Sequence, residues 1–562
     1  MKPSRLASFA SVFSLLFIWA GCGDQFRPVA TPIVPPPPDP LPTHFMFVIT
    51  RNGASDPSSA TRVDVAGDAA LGVATVGLAS VHAALLPNGS RIYVANSLED
   101  TVSSFASSSI TPATTTSLPL GSTPVFVHTT ENGTMYVANV GNGGSTPPSV
   151  AAISTSTNAV TNNITLKAPA PDFSPVVLAE TPDGKKIYAV GSGAGVGWVV
   201  SINSSDKSLN EAITGQHISG ITTNVDPNVN DPVWVATRSD SQRAYVLNSG
   251  SGTVTTIDTF SDLVLRDVPV GLGASFMLYD PKLNRLYITN PTAGTVSMLD
   301  ASTDPPNTLT ASLPIPEYSP QTASDPLNPC RGASVTPTSI AALGDGTRAY
   351  VASYQISGGQ ICSQVSVINT ANNTVTKTIG LEFAVPATGL QSTGVPVAPD
   401  QTGCGSTRSP SSSVPPFIQN TGFRVSVASS ADSSKVYVAN CDAGSTAIIP
   451  NSTDTQSANV GSPFSNLSPV TTTVDITAAS QSGTTTTYTY TLISGPALRA
   501  GMSVTISGMN DAGNNGTFSI SAVGTGTFNV ENASGVAATG QRGTGTVTVP
   551  PPQNPVFVLA GP

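Results

Sequence analysis

At 562 residues the chain is far longer than one ordinary domain; only 10% of its residues are charged and 6% aromatic, while 50 glycines and 48 prolines punctuate it. That profile belongs to many short strands joined by turns, with few helices. The net charge of −10, with no basic cluster, excludes a nucleic-acid partner, because phosphate binding needs Lys and Arg to displace counterions.

The first 22 residues read as an export signal. Lys2 and Arg5 form a positive start, and Ala7 to Ala20 form an apolar run too short for a comfortable membrane span. The run ends in Trp19-Ala20-Gly21-Cys22, which resembles the lipobox of bacterial lipoproteins, with Trp19 where an aliphatic residue is usual. The resemblance implies removal of residues 1–21 and lipid on Cys22, holding the protein on the cell envelope, in the outer membrane of a bacterium. The alternative is an ordinary secretory signal with an incidental cysteine. Residues 22–43, with their run of prolines, read as a stiff tether.

From residue 44 the chain repeats itself. RIYVANS at 91 recurs as TMYVANV at 134, KIYAVGS at 186, RAYVLNS at 243, RLYITNP at 285, RAYVASY at 348 and KVYVANC at 435. Around Arg243 the unit reads as four short apolar runs: Pro232 to Ala236, Arg243 to Asn248, Thr253 to Asp258 and Leu263 to Val270. Asn-Gly or Asp-Gly pairs precede several copies (Asn88-Gly89, Asn132-Gly133, Asp183-Gly184, Asp345-Gly346), where tight hairpins demand positive φ. Self-similarity of this period means a repeat architecture, and four-stranded antiparallel units are the blades of a β-propeller. A β-solenoid or a string of sandwiches is the alternative. The YVAN, YVLN and YITN runs, followed by Gly252 to Asp258 or Gln364 to Asn369, resemble the YVTN-repeat β-propellers, a surface-layer-like family similar in fold to lactonase-type propellers. The resemblance covers roughly residues 44–465 and implies an all-β fold rather than an activity.

The ends of the repeat are complementary. His44 to Thr50 looks like a YVAN strand without a preceding partner, and Asn554 to Ala560 matches the first-strand run Thr123 to His128. The last strand therefore completes the first blade, in residues 551–562, and leaves no open edge. The count favoured is eight blades, with seven as the alternative. Cys330 and Cys404 lie in two long connections entering first strands, and Cys362 and Cys441 follow the second strands of the same blades. Those loops share one end of an antiparallel blade, which predicts Cys330–Cys362 and Cys404–Cys441, as suits an exported protein. Residues 466–550 carry no YVAN strand; their alternating Thr, Val, Ile and Phe with Gly-Asn turns predict a small inserted β-barrel or sandwich at that same end.

Chemistry is sparse. His44, His82, His128 and His217 are the only histidines, with no zinc spacing. His82 and His128 fall near the starts of adjacent first strands, the strands nearest the channel. A shared metal or polar site is one reading, and two hydrogen-bonded histidines the favoured one. Gly250-Ser-Gly252 is loop composition rather than a nucleophile turn, and Gly193-Ala-Gly195 lacks a strand–helix setting. Asp258, Asp300 and Asn369 end third strands and are expected to cap the following turns. Glu180, Asp183 and Asp231 are candidates to line one face, and Asp325, Asp400 and Asp442 to approach calcium, without the spacing of a dedicated loop. No cofactor is implied. The expectation is a non-enzymatic, lipid-anchored binding or scaffolding module for a protein or glycan of the envelope. The alternative is a lactonase-like hydrolase, resting on fold analogy.

Overall fold

A computed structural model describes residues 44–562 apart from 53–56, 110–112, 143–144, 167–172, 194, 217–223, 319–329, 359, 382–384, 387–403, 405–423, 461–469, 496–497, 499–501 and 550–553. The expected signal, Cys22, the tether, His217, Asp325 and Asp400 lie outside the described residues. Eight four-stranded blades form the ring. Blade 1 comprises 45–78 with 555–560, blade 2 spans 80–117, blade 3 124–165 and blade 4 174–214. Blade 5 spans 232–269, blade 6 276–314, blade 7 336–380 and blade 8 425–460. Eight is therefore the blade number, and seven is not.

Every copy of the repeated motif is the second strand of a blade, with its central residues buried on both faces. The tyrosines Tyr93, Tyr136, Tyr188, Tyr245, Tyr287, Tyr350 and Tyr437 are all fully buried between blades, so each phenol needs a polar partner there. For six of the seven the partner is the turn between the third and fourth strands of the next blade, and Tyr287 accepts from Arg285 of its own strand at 3.4 Å. Tyr188 Oη donates to Asp262 at 2.5 Å, Tyr350 to Asp454 at 2.6 Å, Tyr437 to Asp68 at 2.9 Å and Tyr93 to Asn158 at 3.2 Å. The basic residue two places earlier reaches the same turn: Lys186 Nζ lies 2.7 Å from Asp262, Lys435 Nζ 2.7 Å from Asp68, Arg348 2.8 Å from Asp454, and Arg285 donates to Asn373 at 2.9 Å. Asp68, Asn158, Asp262, Asn373 and Asp454 all have φ between 49° and 56°. Asp and Asn are the side-chain-bearing residues that tolerate this left-handed position, and the turn aims their oxygens at the neighbour.

The latch varies where the sequence varies. At blade 4 the turn residue is Lys207, with φ 64°, and it donates to Tyr136 Oη at 2.6 Å, so the polarity is reversed. Blade 1 has Phe45 and Phe47 where the basic residue and Tyr stand elsewhere. There Arg62, from the adjacent strand, lies 3.6 Å over the Phe45 ring and donates to Ser108 O of blade 2 at 2.6 Å. The motif asparagine acts within its own blade: Asn96 Nδ2 donates to Thr101 and Ser103, and Asn248 Nδ2 to Thr253 and Thr255. Asp258, Asp300 and Asn369 cap turns as expected, accepting from the backbone N–H of Phe260, Ser302 and Ala371.

The strand Pro555–Ala560 pairs antiparallel with Phe45–Thr50 and supplies the innermost strand of blade 1. Its Val556 and Val558 are buried. Residues 470–549 form a closed six-stranded barrel, not a sandwich, whose core gathers Val474, Ile476, Tyr488, Val504, Phe528 and Val530.

Removing the closing strand should open the ring. Val556 and Val558 each contribute roughly 1.5–3 kcal/mol of apolar burial, and the Phe45–Thr50 edge would lie unpaired. A chain ending at residue 549 is expected to melt several degrees lower or to aggregate, and an added peptide of residues 551–562 should restore the transition in differential scanning calorimetry. An unchanged melting temperature on truncation would show that the ring does not need this strand.

Candidate functional site

The eight first strands touch their neighbours in an unbroken circle, from Ser80–Leu85 through Pro124–Thr129 and onward to Pro555–Ala560. In six of them the pairing register shifts at one place, just after the residue aligned with Pro124. Such bulges re-aim the next side chain. The residues at that level are Phe557, His82, Phe126, Val177, Trp234, Phe276, Ser339 and Ser426, from blades 1 to 8.

The large members of this level meet. His82 stacks on Phe126 at 3.9 Å between ring centroids and lies 4.9 Å from Phe557; Phe126 meets Trp234 edge-on at 6.2 Å; Trp234 lies 4.6 Å from Phe276. The Phe126–Trp234 contact reaches past Val177 of the intervening blade. Phe557 also packs against the apolar cluster of blades 6 and 7 containing Phe276 and Ile340, past the small Ser426 of blade 8. The aromatic side chains thus reach one another across the ring at this level. The repeated Pro-Val-Phe-Val and Pro-Val-Trp-Val runs carry this signal in the sequence, although there they indicated strands only.

His82 and His128 do not stand at the same level. His82 is in the aromatic layer, whereas His128 lies near the end of its strand, not near the start. Each accepts a backbone N–H from the next blade: Val127 N–H to His82 Nδ1 at 3.4 Å, and Glu180 N–H to His128 Nε2 at 3.2 Å. Burial, helped by the nearby His128, lowers the His82 pKa to about 3, and burial lowers that of His128 to about 4. Among the described residues no group of three His, Cys, Asp or Glu converges on a metal position. The pair ties neighbouring first strands together, as do Thr129 to Leu85 O and Thr237 to Glu180 O, both at 2.6 Å.

Glu180 and Asp183 lie toward the end formed by the hairpins between first and second strands; Asp231 lies at the opposite end, where blade 5 begins. The three do not share a face. Burial, opposed by Lys207 and reinforced by the negative charges of Asp183 and Glu131, raises the Glu180 pKa to about 7. In the sequence Glu180 is a candidate only as one of three face-lining acids; its raised pKa is not legible there, because the groups that perturb it come from blades 3 and 4 and from separate turns.

The opposite end collects the cysteines. Cys330–Cys362 and Cys404–Cys441 are both disulfide-bonded, in the expected pairing. The second and third strands of blade 7 are long enough that Cys362 lies within the third strand, Gln360–Asn369. Gln355, fully buried, accepts from Tyr318 N–H at 2.6 Å and donates to Cys330 O at 3.2 Å, fixing the connection into blade 7. Blade 8 opens with the buried Arg424, whose guanidinium lies 2.6 Å from the buried Asp442. Asp442 is therefore a counter-charge next to Cys441 rather than a calcium ligand.

No family model matches the chain, and no curated protein matches it. Among solved structures, the dihydro-heme d1 dehydrogenase NirN in complex with DHE is 10% identical, with a TM-score of 0.50 over 75% of this chain and 73% of that one. The Pseudomonas aeruginosa periplasmic gluconolactonase PpgL is 16% identical, with a TM-score of 0.42 over 61% of this chain and 96% of that one. Apo AztD from Citrobacter koseri is 12% identical, with a TM-score of 0.42 over 75% and 95%. At these identities a likeness concerns the fold alone, and the fold is a β-propeller.

The histidines give a signed pH dependence. Their folded pKa values lie below the ordinary 6.5, so the unfolded chain takes up protons first as pH falls. Stability fully present above pH 6.5 is therefore lost progressively toward about pH 4 for His128 and about pH 3 for His82. Glu180 acts oppositely: its folded pKa of about 7 stands above the ordinary 4.5, so the folded chain gains stability as pH falls between those values. A His128→Gln chain, whose side-chain oxygen can still accept from Glu180 N–H, should lose less stability than the parent between pH 6.5 and 4.5 in urea titrations. Parallel losses in the two proteins would refute the role given to His128.

Proposed function

We propose that this protein is an extracytoplasmic, YVTN-like propeller, lipid-anchored through Cys22, that binds or scaffolds a protein or glycan of the cell envelope. The working surface in this reading is the end where connections enter the first strands. The observation that carries it is the grouping at that end of both disulfides and of the inserted barrel, which joins the fourth strand of blade 8 to the closing strand of blade 1. A disulfide holds a long connection by restricting the unfolded chain, typically by ~2–4 kcal/mol, and tethered connections present side chains at low entropic cost. The disulfides also support an oxidising location.

A second reading is a hydrolase of sugar lactones or related esters. Glu180 is the observation that favours it, because a carboxyl with a pKa of about 7 is matched to general acid–base work at neutral pH.

One pair of chains separates the two. Replacing residues 466–550 by a short Gly-Ser linker should leave the ring's melting transition in place and reduce retention on isolated cell-envelope material at least tenfold. Retention equal to the parent's would exclude the barrel end as the working surface. Saturable turnover of a lactone panel, lowered at least a hundredfold by Glu180→Gln, would establish the hydrolase and displace the binding role as the primary one.

A further inference from the structure

Away from the channel and the disulfides, two carboxylates share one asparagine, Asn228. Asp226 sits in the connection entering blade 5, and Asp267 in the fourth strand of that blade. Asp226 is 8% exposed. Its backbone N–H donates to Thr214 O at 2.9 Å, and its Oδ1 accepts the N–H of Asn228 at 2.9 Å, so the side chain is fixed in place. Its other oxygen, Oδ2, is buried and has no hydrogen-bond donor. Asn228 holds the two carboxyls close together, its backbone N–H on Asp226 Oδ1 and its side-chain amide on Asp267 Oδ2. Asp267 is itself oriented: Oδ1 accepts from Thr255 at 2.5 Å and Oδ2 from Asn228 Nδ2 at 2.8 Å. Among the described residues no Lys or Arg forms an ion pair with either carboxylate.

Two carboxylates in contact repel, and a buried acceptor without a donor costs about 1–3 kcal/mol. Three other carboxylates described above meet a base. Asp262 holds Lys186, Asp442 holds Arg424, and Asp68 holds Lys435. A proton or a metal ion between the oxygens would remove this repulsion.

We propose that Asp226 and Asp267 form a calcium-binding site at the entrance to blade 5. The donor set selects the ion. It is all oxygen, with no His or Cys, which disfavours zinc and copper and suits a hard cation. Asp226 Oδ2 and Asp267 Oδ2 supply two anionic ligands from segments that are distant in sequence. Asn228 lies between them, and a half-turn of its amide presents Oδ1 in place of the donor now on Asp267. Ser251 Oγ donates to Asn228 O at 2.7 Å and fixes the loop around it. Asp267 and Asn228 are partly exposed, so an ion reaches the pair from solvent and water completes its shell. Irregular, partly hydrated coordination of this kind suits Ca²⁺ rather than Mg²⁺, which demands a near-ideal octahedron. The loop reads Asp226-Pro-Asn228-Val-Asn230, with oxygen-bearing side chains at alternate positions as in calcium loops, but without their glycine and terminal glutamate. The Asn230 side chain is committed elsewhere, packed over Gly250. A site with two carboxylates and no dedicated loop belongs with weak extracellular modules, with Kd about 10⁻⁴–10⁻³ M. Bound, the ion would staple the connection out of blade 4 onto the outer strand of blade 5.

The test uses the full chain stripped with EDTA and then titrated with CaCl2, read by calorimetry and by melting temperature. The expected result is a saturable binding heat and a rise in melting temperature. Asp226→Asn and Asp267→Asn should each weaken binding at least tenfold while preserving shape, since an Asn amide can donate to the remaining carboxylate. No calcium response of the parent up to about 10 mM, well above the affinity range of such sites, would overturn the proposal. So would a response that both substitutions leave intact, or a larger response to MgCl2 than to CaCl2. If Asp226→Asn matches or exceeds the parent in stability and calcium acts on neither, the pair shares a proton and the calcium site is refuted.

Discussion

The ring depends on one polar contact made over and over between blades. A tyrosine fully buried by its neighbours needs a polar partner for its hydroxyl. In four of the seven copies that partner is the left-handed Asp or Asn in the next blade's turn between third and fourth strands. Asp262 shows the arrangement at its fullest, accepting from Lys186, Tyr188, Ser201 and Asn210. Apolar packing between blades is strong but nearly indifferent to sliding, because each face presents similar valines and alanines. The latch sets the register of one blade on the next, since a carboxylate left opposite a valine would be buried without a donor.

The same economy explains the axis. Aromatic residues at one level of the first strands meet across the ring, and His82 joins them as a flat, neutral ring stacked on Phe126. Its partner in the sequence, His128, is spent on holding the backbone of blade 4. What remains variable lies at the two ends. One carries short hairpins and the elevated carboxyl of Glu180; the other carries the disulfides, the Arg424–Asp442 pair and the inserted barrel.

Much of this was legible in the chain. Seven copies of one motif specified the blades, the unmatched run at His44 and the matching run at Asn554 specified the closure, and the positions of four cysteines relative to those copies specified the bridges. These succeed because each depends on order along the chain. The functions of the motif residues were not legible, because the acceptors of Tyr188 and Lys186 lie in the next blade. Proximity of His82 and His128 in neighbouring repeats left a common site open beside the favoured reading of two hydrogen-bonded histidines; both are hydrogen-bonded, and two residues of offset along a strand put them at different levels. Asp226 and Asp267 were invisible for the converse reason: nothing in their separate surroundings marks them as a pair until the connection folds back on blade 5. Phe45 and Phe47 made the first copy of the motif look weak, and only the structure shows Arg62 standing in for the missing base.

The account rests on the latch, and the seam between blades 8 and 1 is where it is most exposed to test, because there it joins residues 369 apart in the chain. A double-mutant cycle on Tyr437→Phe and Asp68→Ala, read by urea unfolding of the full chain, measures the coupling across that seam directly. The account predicts that each substitution is destabilising and that the pair costs less than the sum, with a coupling of about 1–3 kcal/mol as expected for a hydrogen bond to a charged, partly buried partner. Strictly additive losses would mean that the tyrosine and the turn act independently and that packing alone sets the ring.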